Sequence, residues 1–282
     1  MASLKYDLNS ISEEIEILIS TIYQENLIFL DKMFQYNDPS DFKILIINQT
    51  TRDKVLRVSK KNIRVVNCFE FSVPKSRNLA LKEAEGDICV MADDDIIYEP
   101  NLKRNILDAY RQNSNADMIS FEAKDETGKK YTNYYPEGSH TKKSLKKIYT
   151  WVITFKRATF KLNQIYYNDH FGFGETFKGH EEYVFLRNAL DKELMMVHKS
   201  KTIVMHPDES SGKLMGSNNA IYATSALYQR FYGNLSYLLL AKYIFFLLRH
   251  NYIHLAKTYS KFSVGLEGIM KYKKMNALSE IN

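Results

Sequence analysis

Three consecutive carboxylates, Asp93, Asp94 and Asp95, follow the apolar run at residues 87–92. Their mutual repulsion costs free energy unless a cation or hydrogen-bond donors compensate it. Because side chains alternate along a strand, Asp93 and Asp95 are expected on the same side. Two hard oxygen ligands suit Mg²⁺ or Mn²⁺, with nucleotide phosphates completing the coordination. The alternative is an acidic cap on the helix start that Pro100 indicates.

A second candidate segment, Lys75-Ser76-Arg77-Asn78, lies ahead of that run. Arg77 can pair with a phosphate or hold the aspartate cluster, and Asn78 can make a bidentate amide contact. The alternative is a helix N-terminus with a solvated basic face.

Two further candidates lie closer to the C-terminus. Glu181 and Glu182 follow Gly179 and open an apolar helical pattern, where one carboxylate can accept a proton from an acceptor hydroxyl as a general base. The other interpretation is that both favour the helix dipole. His206 opens the run HPDESSG after an apolar segment and is either a metal ligand, a phosphate contact or a structural histidine.

The elements that must position these residues alternate between strands and helices. Apolar runs predict strands at residues 15–20, 43–48, 63–67, 87–92 and 117–121. Helical spacing appears at residues 26–36, 74–84 and 102–110, and Gly86 is predicted to cap the second of these helices. This order predicts an α/β protein with a mostly parallel sheet flanked by helices. Ligands of such sheets bind beyond the carboxyl ends of the strands.

The second half of the chain is predicted to contain fewer strands. Residues 122–147 are polar and rich in lysine and tyrosine, which indicates a hairpin or loop insert. Further strands are predicted at residues 151–157, 195–197 and 202–205, and residues 219–282 are predicted to be a helical extension.

Length, charge and cysteine content narrow the class of protein. The 282 residues suffice for one α/β domain with an appendage, and the net charge of +6 suits anionic partners. Cys68 and Cys89 lie in apolar stretches and are predicted to be buried free thiols in a reducing cytosol. We find no secretory signal and no nucleic-acid-binding motif.

The C-terminal segment combines an apolar run at residues 237–248 with an excess of lysine and arginine. That run is too short to span a membrane, which takes about 20 residues. Two interpretations stay open: helices lying on an anionic membrane surface, or helices packed on the catalytic domain or forming a homodimer contact.

Two runs of the sequence, one after the other, resemble those of glycosyltransferase family 2. Within that family they resemble bacterial enzymes that build capsular, exopolysaccharide or O-antigen units. They are SVPKSRNLALKEAEGDICVMADDDIIYEP and NDHFGFGETFKGHEEYVFL. The resemblance covers about residues 15–212. It implies a GT-A fold with a catalytic domain at residues 1–218. Within that domain, about residues 15–121 would bind the nucleotide sugar and about residues 122–218 would bind the acceptor.

The resemblance also implies a metal-dependent, inverting transfer of sugar from a nucleoside-diphosphate donor, with uridine the expected base. The acceptor would be a hydroxyl of a glycan or a lipid-linked oligosaccharide, at the cytoplasmic face of the inner membrane. The implied metal ligands for Mn²⁺ or Mg²⁺ are Asp95, Asp93 and His206. The implied donor-binding residues are Ser20, Thr21, Gln24, Asn48, Gln49, Arg77, Asn78, Asp93 and Asp94. Glu182 is the implied base, with Glu181 the second choice because the usual Glu-Asp pair is Glu-Glu here.

Two other functions remain open from the sequence. A sugar nucleotidyltransferase also binds Mg²⁺ at strand ends, but residues 20–26 lack the glycines of its usual phosphate loop. A sugar-binding or scaffold protein of a polysaccharide assembly complex would need no base, so its function would survive Glu182→Gln.

Overall fold

The computed structural model describes residues 14–207 and 215–278. These residues form two compact units, the first from residues 14–71, 76–166 and 186–207, the second from residues 72–75, 167–185 and 215–278. The boundaries of these units differ from the predicted boundary after residue 218. The division into a catalytic domain at residues 1–218 and a helical extension stays a prediction. Residues 208–212 of the HPDESSG run lie outside the described residues.

The first unit is built on one mixed sheet. Its strands are β1 (Ile15–Ile22), β2 (Lys43–Gln49), β3 (Ile63–Cys68), β4 (Ile88–Asp93), β5 (Ile97–Tyr98), β6 (Met118–Lys124), β7 (Gly138–Ser139), β8 (Ile153–Lys156) and β9 (Met196–Met205). Among the described residues the order is β3-β2-β1-β4-β8-β6-β9-β5, and β7 pairs with β9.

The strands β1 to β4 run parallel, as predicted. They are continuous apolar runs because both of their faces are covered, and the side chains of residues 44–47 are fully buried. Strand β8 lies antiparallel between β4 and β6, while β6 and β9 are parallel. The predicted central, mostly parallel sheet is therefore confirmed.

Helices flank this sheet and form most of the second unit. They are α1 (Ile28–Met33), α2 (Val73–Glu83), α3 (Leu102–Gln112), α4 (Arg157–Leu162), α5 (Glu181–Asp191), α6 (Asn218–Tyr232), α7 (Ser236–Arg249) and α8 (Thr258–Ala277). The predicted helical C-terminal segment is confirmed over its described part.

Three local predictions need correction. Helix α1 has only six residues, and Leu27 and Phe34 of the predicted helical pattern lie outside it. The strands predicted at 195–197 and 202–205 are one strand, β9, whose irregular register against β6 accommodates the polar residues between them. Cys89 is buried as predicted, but Cys68, which is also a free thiol, is only half-buried at the end of edge strand β3.

Gly86 does not cap α2, which ends at Glu83. A Cβ atom at Gly86 would lie 2.5 Å from Cβ of Glu16, so glycine is needed for the close approach of the two backbones. The Glu16 carboxylate is fully buried in β1 and accepts hydrogen bonds from Arg64 Nη2 at 2.9 Å and from Gly86 N at 2.7 Å. It also accepts one from the backbone N–H of Glu85. This carboxylate therefore joins β1, β3 and the turn before β4.

We expect Glu16→Ala to lower the free energy of unfolding by about 2–4 kcal/mol, because it leaves two backbone N–H groups without their acceptor. Urea unfolding measures the change. Glu14→Ala is the matched control, since Glu14 is 47% exposed and pairs with Lys43 at 2.7 Å. Its expected cost is below about 1 kcal/mol. Equal losses in the two variants would contradict the role of Glu16.

The second unit has its own apolar core, formed by α6, α7 and α8. Ile221, Leu240, Ile244 and Ile269 are among its buried residues. Helices α6 and α8 approach closely, since a Cβ atom at Gly268 would lie 2.3 Å from the carbonyl oxygen of Tyr222. Any larger residue at that position would force the two helices apart.

Candidate active site

The aspartate cluster lies at the carboxyl end of the parallel strands. Asp93 is the last residue of β4 and is paired in register with Ser20 of β1. Asp94 and Asp95 follow in the turn before β5. The predicted strand-end residues of β1 and β4 are therefore neighbours in the first unit.

Asp94 holds the loop that follows β1. Its Oδ2 atom accepts a hydrogen bond from Gln24 Nε2 at 2.8 Å and a short one from the Thr21 hydroxyl. Three of the predicted donor-binding residues thus meet in one cluster. Asp94 fills the variable middle position of the aspartate motif, so the motif alone did not indicate this positioning role.

Arg77 lies at the first aspartate. Its guanidinium is almost completely buried, and Nη2 lies 3.1 Å from Oδ1 of Asp93. On the same helix, the Ser76 hydroxyl donates to Ser20 Oγ at 3.0 Å. Of the two roles open from the sequence, the structure shows Arg77 holding the aspartate cluster. Asn78, the next residue of α2, is also buried.

Asp95 lies beside His206. The antiparallel pairing of β5 with β9 aligns Ile97 with Met205, which brings Asp95 Oδ1 to 3.6 Å from His206 Nε2. His206 Nδ1 lies 2.7 Å from the carbonyl oxygen of Pro207, an atom that can only accept. Nδ1 therefore carries a hydrogen, and Nε2 is the ring nitrogen that faces the carboxylate.

Charge repulsion acts on this part of the cluster. Desolvation is the largest cause that raises the pKa of the Asp95 carboxyl, the nearby His206 imidazole lowers it, and the carboxylates of Asp93 and Asp94 raise it again. The Asp95 side chain is nevertheless more than half exposed and open to a ligand. A cation bound there would offset the repulsion.

The predicted three-residue metal site is only partly assembled. Asp95 and His206 lie together, whereas Asp93 is paired with Arg77. Within residues 14–207 and 215–278, no group of three histidine, cysteine or carboxylate side chains is arranged to hold a metal ion. The pair fits a divalent cation that takes its remaining ligands from a bound diphosphate and water, and the metal site itself stays a prediction.

An aromatic stack fixes the His206 ring. Trp151 stacks on it with ring centres 4.9 Å apart, and Tyr149 stacks on Trp151 with ring centres 5.1 Å apart. Tyr131 contacts the His206 ring edge-on at 5.4 Å. The sequence analysis assigned Tyr131 to the polar insert at residues 122–147. The high tyrosine content of that insert was the only sign that one of its residues contacts His206.

Asn48 acts on the backbone of the loop after β1. It is fully buried, its Oδ1 accepts from Gln24 N at 3.0 Å, and its Nδ2 donates to Gln24 O at 2.9 Å. Nδ2 also donates to Asn67 Oδ1 at 3.0 Å. The neighbouring Gln49 is buried, and its carbonyl accepts from Tyr23 N at 2.9 Å. These contacts position the loop, and direct binding of a nucleotide by either side chain stays a prediction.

Exposed aromatic side chains at this edge were missed by the sequence analysis. Tyr23 adopts a left-handed conformation with φ of 55°, and its ring centre lies 5.2 Å from that of Phe71. Lys54 lies 6.0 Å from the Tyr23 ring centre. Phe69 and Phe71 follow β3 directly. Aromatic residues just after a predicted strand were therefore the sequence feature that could have indicated an aromatic surface at this edge.

The acidic pair belongs to the second unit. Gly179 and His180 both have positive φ, which turns the chain into the first turn of α5. Glu181 is 5% exposed, whereas Glu182 is partly exposed. His180 Nε2 forms a 3.0 Å hydrogen bond with Thr224 of α6, a contact the sequence analysis missed. Greater exposure makes Glu182 the better placed of the two to accept a proton from a substrate.

A family model described as glycosyl transferase family 2 matches residues 23–178, more than half of the chain. The chain belongs to glycosyl transferase family 2. The match includes the aspartate cluster, Arg77 and the loop at Tyr23, and it ends before Glu181, Glu182 and His206. The family 2 assignment confirms a glycosyltransferase fold and class. No curated protein sequence matches the chain.

Solved structures of TarS from S. aureus share the fold of this family 2 chain. The structure of residues 1–349 with UDP has 13% identity and a TM-score of 0.55, and the match covers 94% of this chain and 92% of that one. The complex with UDP-GlcNAc has 15% identity, the same coverage and a TM-score of 0.55. Against a longer TarS chain the identity is 16% and the TM-score 0.54, over 82% of this chain and 43% of TarS. The chain therefore spans less than half of that longer TarS protein.

Proposed function

We propose that the protein is a metal-dependent, inverting glycosyltransferase that takes its sugar from a UDP-sugar. The observation that carries the proposal is the pair Asp95 and His206, whose Oδ1 and Nε2 atoms lie 3.6 Å apart at the carboxyl edge of a family 2 sheet. The choice of uridine is supported by the TarS structures with UDP and UDP-GlcNAc.

Asp95 and His206 would hold Mn²⁺ or Mg²⁺. The carboxylate and the imidazole lone pair are ligands that both ions accept, and the Trp151 stack keeps the imidazole in place. When bound, the ion supplies Lewis-acid stabilisation of the negative charge on the leaving diphosphate. Asp93 then serves the site by holding Arg77, and its contact with the donor ribose or the metal remains part of the proposal.

The other residues bind and orient the reactants. Arg77 adds fixed positive charge at the strand ends, where the diphosphate is expected. Asp94 and Asn48 hold the loop that carries Thr21 and Gln24. Glu182 accepts the proton of the attacking hydroxyl. Inversion by a single displacement needs no covalent intermediate between sugar and enzyme.

The nucleobase is proposed to stack on Tyr23 and Phe71, and Tyr23→Ala tests this contact. We expect about a tenfold loss of UDP affinity, because stacking of a base on an aromatic ring contributes about 1–3 kcal/mol. Calorimetric titration with UDP measures it. Tyr36→Ala is the control, since Tyr36 is also exposed but lies before β2, away from the carboxyl edge. Equal losses in both variants would contradict stacking at Tyr23.

The acceptor is proposed to be a hydroxyl of a glycan or of a lipid-linked oligosaccharide in bacterial surface polysaccharide synthesis. The enzyme would then work at the cytoplasmic face of the cell membrane. The partly exposed Glu182 is compatible with an acceptor that approaches from solvent.

Calorimetric titration of the wild-type protein with UDP and with GDP, each with Mn²⁺ or with EDTA, tests the proposed function. We expect UDP to bind at least about tenfold more tightly with Mn²⁺ than with EDTA, because the cation neutralises the diphosphate. GDP is expected to bind more weakly than UDP. Absence of binding by either nucleotide under both conditions would refute the proposal and favour the scaffold alternative.

A further inference from the structure

Helix α7 has apolar side chains on two opposite faces. Leu240, Ile244 and Leu247 are buried in the core of the second unit. The opposite face carries a stripe of four exposed residues, Leu238, Lys242, Phe245 and Arg249, which we call the outer stripe. Their spacing of four, three and four residues places them in one line along the helix.

The outer stripe exposes large apolar side chains. Leu238 is 68% and Phe245 64% exposed. Phe246 flanks the stripe at the end of α7, and its ring lies 4.5 Å from that of His250 and 6.1 Å from that of Tyr252. Isolated apolar residues on a surface are common, but Leu238 and Phe245 share one face of α7 with Phe246 beside them, and such a group indicates a binding surface.

The charges around the outer stripe have one sign. Lys242 and Arg249 lie within it. In the described residues 215–278, Glu267 is the only acidic residue. The surface therefore presents apolar and cationic groups together, with almost no compensating negative charge.

We propose that the outer stripe of α7 binds the surface of an anionic lipid bilayer, with the helix lying in the plane of the membrane. Leu238 and Phe245 would enter the boundary between headgroups and acyl chains. The stems of Lys242 and Arg249 would pack beside them while their charges reach the lipid phosphates.

Charge complementarity favours a membrane over a second copy of this chain. A twofold interface formed by the outer stripe would place Lys242 and Arg249 of both copies against one another. Because Glu267 is the single acid of the described C-terminal residues, such an interface would have little negative charge to offset this repulsion. The lipid phosphates of an anionic bilayer supply the negative charge that such an interface lacks.

The same segment is not arranged as a span. Residues Asn218–Arg249 are long and apolar enough to cross a membrane by length and composition alone. They form two helices, α6 and α7, separated by a turn at Gly233–Leu235. Helix α7 has 14 residues, so it is about 21 Å long and shorter than the roughly 30 Å hydrocarbon core.

Flotation of the full chain with phosphatidylcholine vesicles, with and without phosphatidylglycerol, tests the proposal. We expect binding to the anionic vesicles only, and a loss of more than about tenfold on Lys242→Glu combined with Arg249→Glu, since each cation near the surface contributes about 1 kcal/mol. Leu238→Glu combined with Phe245→Glu is expected to cause a similar loss. The vesicle assay needs no nucleotide, so its result is independent of the proposed transferase activity.

Two controls separate lipid binding from unfolding and from general charge effects. Leu162→Glu changes an apolar residue of the first unit that is 83% exposed, and Lys61→Glu changes an exposed cation before β3. Both should bind vesicles as the wild type does, and all variants should keep the wild-type circular dichroism. The proposal is overturned if the wild type ignores anionic vesicles, or if the stripe variants bind them unchanged. It is also overturned if those variants instead convert a dimer to a monomer in sedimentation velocity.

Discussion

Replacing Asp95 by asparagine is expected to slow Mn²⁺-dependent sugar transfer by about a hundredfold to a thousandfold. The substitution keeps the size of the side chain but removes the charge of the proposed metal ligand, whose Oδ1 atom lies 3.6 Å from His206 Nε2. Stabilisation of the leaving diphosphate by a divalent ion contributes several kcal/mol, and each 1.4 kcal/mol corresponds to about tenfold in rate. Release of UDP from the sugar donor, followed against Mn²⁺ concentration, measures the effect.

Asp94→Asn is the matched control for Asp95→Asn. It removes the same charge one residue away, from a carboxylate that holds Thr21 and Gln24. An amide oxygen can still accept these hydrogen bonds, so we expect a loss below about tenfold and an unchanged dependence on Mn²⁺. Equal losses in the two variants, with the Mn²⁺ dependence unaltered in both, would contradict Asp95 as a ligand.

A stability measurement distinguishes loss of the metal site from loss of the fold. The Asp95 side chain is more than half exposed, and desolvation, together with the neighbouring carboxylates of Asp93 and Asp94, raises its pKa. Removing its charge should leave the thermal unfolding temperature unchanged or slightly higher. A marked fall in that temperature would mean that the lost activity reflects unfolding.

The strands were predictable because their sequence allows few alternatives. The apolar runs at residues 44–47 and 88–92 are short and lie between polar segments, which favours a strand covered on both faces. The order of the sheet was not predictable to the same extent. Strand β8 lies antiparallel between β4 and β6, a pairing set by contacts between residues that are far apart in the sequence.

The site was predictable where its residues follow parallel strands. Thr21 and Asp94 meet because β1 and β4 are neighbours in register, so their carboxyl ends coincide. The aromatic contacts that fix the His206 ring were not predictable, because Tyr131 and Trp151 come from segments far away in the sequence. Gly86 was misinterpreted as a helix cap because the buried carboxylate of Glu16, which requires the glycine, lies 70 residues earlier.

The identity of the base is the second prediction with a large effect. We expect Glu182→Gln to lower kcat by about a hundredfold to ten-thousandfold, because glutamine cannot accept the proton of the attacking hydroxyl. The affinity for UDP, measured by calorimetry, should not change, since the donor-binding residues are intact. Glu182 is partly exposed at the start of α5, which leaves it accessible to an acceptor.

Glu181→Gln is the neighbouring control because it removes the same charge from the same helical turn. Glu181 is 5% exposed, so its substitution should lower the thermal unfolding temperature more than Glu182→Gln does, and kcat less. If the pattern is reversed, with kcat lost only in the Glu181 variant, Glu181 is the base and the Glu-Glu pair uses its first position. Wild-type kcat in both variants would exclude a carboxylate base in this pair.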